Sequence, residues 1–227
     1  TAGLMPLAQS LQVLTRQPMA ARTLTVQLDS TRIDGELQQA FVDDATDSSG
    51  YLVFSRAGSL RGRDIIQAWL QLVLASAAEP GLIHSAQLLG TDKKEPLQRL
   101  ILRAPTPTVA QEQLRTALRW YWQCWCGPVL HLPDTLWQLQ KELEKITAKT
   151  ELEDEQNEAL DKWLQERLDS AYGELNSAYL QRCAPEFLQQ LNANAARKWL
   201  ADFGALVQAA ADHQFVDNQA AEGEGTA

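Results

Sequence analysis

The chain has 227 residues, 45% of them hydrophobic and 22% charged, which excludes a disordered polypeptide and suits one large or two small globular domains. No stretch approaches the ~18 uninterrupted apolar residues that cross a bilayer, so no membrane role is expected. The net charge of −9 is uneven, with ten Lys/Arg against ten Asp/Glu in residues 1–110 and ten against nineteen in 111–227; the basic surplus of a free-standing nucleic-acid binder is missing, and any DNA contact must be local or shared with partner subunits.

Thr1 is not an initiator Met and no charged-then-apolar leader follows it, so the sequence reads as a piece of a longer chain. Residues 1–20 carry Leu7, Leu11 and Leu14 at helical spacing, with Pro18 closing the segment. TLTVQLD (23–29) alternates as a half-buried strand does, with Leu24, Val26 and Leu28 on one face. GELQQAFVD (35–43) predicts a second strand with Leu37 and Phe41 inward, and the polar run at 43–50 predicts a hairpin into the apolar strand YLVFS (51–55). A turn at Gly58 leads to Ser59 as an N-cap and a helix over 59–77, whose Ile65, Ile66, Trp69, Leu70 and Val73 face the sheet. Strands follow at 83–90 and 97–104, joined by a polar turn.

From residue 108 the pattern is helical. TVAQEQLRTALRWYWQCWC (108–126) sets Leu114, Leu118, Tyr121 and Trp125 in register before Gly127 and Pro128 end it. Further helices are predicted over 134–149, 157–175 and, as one or two pieces, 185–213, with TELEDE (150–155) as a solvated acidic connection. The expected fold is α/β (α+β): a sheet part over 1–107, a helical part over 108–215 and a disordered tail over 216–227. Cys124, Cys126 and Cys183 are odd in number and argue for reduced thiols and a cytoplasmic location, with Cys124 and Cys126 as buried small hydrophobes. His84, His131 and His213 stand far from the cysteines and from one another, so neither a zinc site nor any other cofactor is expected.

The strand–turn–helix at 50–71 is the frame in which nucleases of the restriction-endonuclease class, PD-(D/E)XK, hold Mg²⁺ with one acid from a first strand and an acid-x-Lys from the next. Here GELQ (35–38) puts Gln38 at the first acid's position, and VFSR (53–56) puts Phe54 and Arg56 where the second acid and the Lys belong. A degenerate sheet core without catalytic residues is therefore expected. An active site rebuilt from Asp34 and Asp43, beside Asp44, is the competing reading, although Asp43 and Asp44 also suit a polar turn. Arg56, Arg61 and Arg63 are candidate phosphate contacts, or else partners of local acids such as Asp64. Trp120, Tyr121, Trp122 and Trp125 suit either a base-stacking platform or an aromatic seam buried in the core or a subunit interface; the i, i+3 and i, i+4 spacings favour the seam.

SLRGRD…AWL (59–70) resembles the C-terminal domain of the RecC family, the gamma subunit of bacterial exodeoxyribonuclease V (RecBCD). GLMPLAQ (3–9), WYWQCWCGPVLHLP (120–133) and YGELNSAYLQR (172–182) resemble other segments of that domain in order, although GPVLHLP is a loose version of its Pro-Leu-Pro motif and Asn176 and Ser177 replace an acidic residue and a Pro. The resemblance implies an inert nuclease-like fold beside the DNA fork that helps split the duplex, with RecB-like and RecD-like subunits and a double-stranded DNA end or fork as partners. The alternatives are an active metal-dependent nuclease and a protein-interaction module without DNA contact.

Overall fold

A computed structural model describes residues 4–43, 49–92, 96–126, 130–170 and 173–215. The expectations placed on Asp44, on Gly127 and Pro128, on Tyr172, on the side chain of Cys124 and on the tail 216–227 lie outside the described residues. The architecture is mixed α/β, and the chain forms two compact units.

The first unit comprises Thr1–Leu60, Asp64–Arg115 and Ala210–Ala227. It opens with α1 (Met5–Leu14), whose helix ends at Thr15 rather than at Pro18; Pro18 instead bridges Phe41. A separate hairpin follows, β1 (Arg22–Leu28) antiparallel to β2 (Thr31–Leu37), with Leu24, Val26, Leu28 and Leu37 buried and polar residues outward. The run 35–43, read from sequence as one strand, breaks after Leu37. Gln39 takes a left-handed φ of 56°, and the chain passes from the hairpin into a second sheet as β3 (Ala40–Val42). That sheet has the order β3, β4 (Gly50–Ser55), β5 (Ile83–Gly90), β6 (Gln98–Arg103), β7 (Gln214–Phe215). The β3–β4 pair is antiparallel, as the polar run at 43–50 predicts. Strands β4 and β5 are parallel and joined by α2 (Gly62–Ala78), and the remaining pairs are antiparallel.

Strand β5 is buried along nearly its whole length, as a strand covered on both faces must be. Helix α2 buries more than one stripe: besides Ile65, Ile66, Trp69 and Val73, its Ala68, Leu72 and Ala75 are enclosed. Gly35 of the hairpin lies directly against Leu74, so the hairpin covers a side of α2 that a one-sheet reading leaves to solvent. The helix starts at Gly62, three residues after the expected cap at Ser59. The backbone between is engaged elsewhere: the Leu60 N–H donates to the Gln98 side chain and the Thr91 N–H to the Gly58 carbonyl.

The second unit comprises Arg61–Arg63 and Thr116–Ala209. Helix α3 (Pro107–Cys126) contributes its first half to the first unit and its second half to this one. Helices α4 (Pro133–Lys149), α5 (Glu153–Leu168) and α8 (Ala193–Phe203) pack on one another around Leu136, Leu139, Leu160, Trp163, Leu164, Ala196 and Trp199. The shorter α6 (Ala178–Cys183), α7 (Pro185–Gln190) and α9 (Ala205–Asp212) complete the described α-helices. TELEDE is not a loop throughout: Glu153, Asp154 and Glu155 form the first turn of α5, where acids complement the partial positive charge of a helix start. The helix predicted to 175 stops at Leu168, whose carbonyl accepts from the Asn176 amide.

Candidate nucleic-acid interface

The end of β4 opens into a cavity of about 330 Å³ lined by Gln39, Phe54, Ser55, Arg56, Asp64 and Gln67 among others. The parallel pairing of β4 with β5 and the turn through Gly58 (φ 150°) bring Ser55 and Arg56 to this edge, and α2 brings Asp64 and Gln67. An Arg56 terminal N–H donates to the Asp64 carboxylate at 3.5 Å, while its Nε is buried and finds no hydrogen-bond partner among the described residues.

Of the three frame positions, Phe54 and Arg56 line this cavity and Gln38 does not. Gln38 is exposed, and its amide donates to the Glu36 carboxylate at 3.0 Å; its neighbour Gln39 occupies the wall. Mg²⁺ takes hard oxygen ligands, one or two of them carboxylates. The cavity offers a single carboxylate, already facing a guanidinium, and this donor set does not fit a divalent cation. Among the described residues no three His, Cys, Asp or Glu side chains are grouped to hold a metal. Asp34, on the hairpin, accepts from Thr25 Oγ1 (2.7 Å) and Arg32 Nε (2.9 Å), which hold its carboxyl below the usual range. Asp43, at the end of β3 in the other sheet, is 2.7 Å from His84 Nε2.

Arg61 and Arg63 belong to the second unit and line a different cavity, about 590 Å³ in volume, with Asp134, Arg167, Glu174 and Ser177 among its walls. Arg63 is committed there: its Nε donates to Asp134 Oδ2 at 2.8 Å, a second N–H to the same oxygen at 2.5 Å, and its backbone N–H to Oδ1 at 2.9 Å. Glu174 accepts from the Thr135 N–H at 2.8 Å, in the first turn of α4. Arg167 lies over the Trp163 ring, 5.2 Å from its centroid. Nothing in the local pattern around Arg61 signals Asp134, Arg167 or Glu174, because only tertiary packing brings them together.

The aromatic run does not form one buried seam. Trp120 is buried (8% exposed) against His131 and Phe203, with centroids 4.6 and 6.5 Å away. Tyr121, Trp122 and Trp125 are 53%, 59% and 72% exposed, and Tyr121 meets each of the two Trp rings edge to face. Tyr121 continues the register of Leu114, but the second half of α3 meets other neighbours and turns Trp120 inward instead. Cys126 is exposed as well, contrary to its expected burial. His131 is mostly enclosed; its Nε2 has no partner among the described residues, and burial lowers its pKa.

Among the described residues no helix is long and apolar enough to cross a membrane. No curated protein matches the chain. A family model describing the RecC C-terminal domain matches residues 1–144.

Proposed function

The chain belongs to the RecC C-terminal domain family, the RecC subunit of the RecBCD complex of DNA repair, and from that premise we propose that it is a non-catalytic domain that binds the DNA fork and docks the partner subunits of a cytoplasmic helicase-nuclease. In this reading the sheet part, residues 1–107, is a degenerate restriction-endonuclease-like core with Arg56 at its DNA-facing strand end, and Arg61 and Arg63 lie in the adjoining basic segment. The helical part, residues 108–215, docks RecB-like and RecD-like subunits. The observation that carries the proposal is the cavity at the end of β4, where Phe54 and Arg56 replace an acid and a Lys and the single acid, Asp64, faces Arg56. Such a wall attracts a phosphate oxygen and gives Mg²⁺ no pair of carboxylates.

The test is forked DNA with the full chain in the assembled complex. Wild type is expected to bind the fork, and Arg56→Ala to weaken it without sequence preference, as loss of a phosphate contact does. The chain alone is expected to cut nothing in Mg²⁺ or Mn²⁺. Metal-dependent cleavage abolished by Asp64→Asn or Asp34→Asn sinks the proposal. A pure docking module is the second reading, favoured by the exposed Tyr121, Trp122 and Trp125; it predicts fork binding indifferent to Arg56, Arg61 and Arg63.

A further inference from the structure

The second unit is acidic overall, yet one of its cavities gathers three guanidinium groups from distant parts of the chain: Arg61 and Arg63 beside the start of α2, and Arg167 in the last turn of α5. Two carboxylates share that cavity, and both have assigned partners. Asp134 holds Arg63 through side chain and backbone, and Glu174 accepts from the Thr135 N–H. Arg167 has no carboxylate partner among the described residues. Its guanidinium carbon lies over the Trp163 ring, 5.2 Å from the centroid, a cation–π contact that leaves guanidinium N–H donors for an anion. Ser177 Oγ accepts from the Leu180 N–H, which leaves its O–H able to donate.

We propose that this cavity is a phosphate-binding subsite in which Arg167 and Arg61 contact the phosphate, Ser177 adds a hydroxyl donor, and Arg63 is a positioning residue locked by Asp134. The assignment deepens the DNA-fork reading and rests on it for the source of the phosphate, a phosphodiester of the DNA backbone. It moves the contact away from Arg63, which sequence spacing favours equally, to a residue more than a hundred positions later. Phosphate fits better than an acidic peptide for a geometric reason. Its charged oxygens sit on one atom and meet two guanidinium groups together, whereas a peptide brings further carboxylates towards Asp134 and Glu174.

The experiment uses the full chain with three probes: a fluorescent forked duplex, inorganic phosphate and a polyglutamate peptide. Arg167→Gln is expected to weaken fork binding about three- to tenfold and to lower the slope of log affinity against log salt by about 1, as loss of one phosphate contact does. Arg167→Lys keeps the charge and is expected to restore most of the slope, which a purely packing role for the side chain does not predict. Inorganic phosphate is expected to compete with the fork in wild type and less so in Arg167→Gln. Fork binding by wild type with an unchanged affinity and slope in Arg167→Gln overturns the subsite and leaves the DNA reading intact. Absence of fork binding by wild type in the assembled complex, with phosphate still perturbing the Arg167 side-chain N–H resonances of the full chain, overturns the DNA reading and keeps the subsite. Arg167-dependent binding of polyglutamate but not of phosphate overturns the phosphate assignment itself.

Discussion

Gly62→Ala tests whether the first turn of α2 is clamped as the structure describes. Ala ordinarily favours a helix over Gly by up to ~1 kcal/mol, so a surface-helix view predicts a neutral or stabilising change. Here a Cβ on Gly62 lands 2.6 Å from the Pro133 carbonyl carbon and 2.8 Å from Trp137 Cβ. Carbon atoms rest at roughly 3.5–4 Å, so the start of α4 must retreat by several tenths of an ångström or more. Neither neighbour is a flexible side-chain tip; one is backbone and the other belongs to the buried Trp137. Overpacking of this kind costs about 1–3 kcal/mol, and after the helix preference of up to ~1 kcal/mol is subtracted a loss of up to about 2 kcal/mol remains. For a chain of this size that upper value is a fall in Tm of about 4–8 °C. The same retreat stretches the Arg63 N–H to Asp134 bond, now 2.9 Å. The assay is urea denaturation followed by tryptophan fluorescence, with a thermal scan beside it. A Tm equal to or above wild type refutes the packing argument and, with it, the claim that Arg63 is held from α4.

Replacing Tyr121, Trp122 and Trp125 together by Ser is expected to leave stability within about 1 kcal/mol, because exposed side chains contribute little to the fold, while retention of the partner subunits in co-purification drops; unchanged retention removes these rings from the docking surface. His131 predicts a pH effect of definite sign. Its folded pKa is lowered by burial, so the unfolded chain binds the proton first as pH falls. Its contribution is complete above the unfolded value near 6.5 and is lost as pH falls from there through the folded pKa, at no more than about 1.4 kcal/mol per pH unit. Urea midpoints measured from pH 7.5 to 5 are expected to fall, and His131→Phe to flatten that part of the curve; a parallel curve for the variant refutes the assignment.

Much of the secondary structure was legible without coordinates. Strand β4 and helix α4 announce themselves through the compact apolar run YLVFS and a 3.6-residue period, and the polar run before Gly50 marks the β3–β4 hairpin. The misses have local causes with distant origins. The split of 35–43 depends on a left-handed Gln39 that no composition signals, and it moves the expected Gln38 off the cavity wall. The late start of α2 reflects hydrogen bonds to residues beyond β5: Leu60 donates to Gln98 and Gly58 accepts from Thr91. Helix α5 begins earlier than its apolar pattern because its first turn is acidic, a signal of helix start read instead as a solvated loop.

The sequence by itself determined the family, through SLRGRD and its companion motifs, and the mixed α/β class, because period and composition are properties of short windows. It also settled that Phe54 and Arg56 offer no metal ligand, since side-chain chemistry does not depend on the fold. Tertiary structure alone decided which charges meet. Arg63 finds Asp134, Arg61 and Arg167 share a cavity from a loop and a distant helix, and three of the four rings between Trp120 and Trp125 stay in solvent. Those outcomes depend on which neighbours close around each element, and pairings across 70 to 100 residues leave no local trace for a window to read.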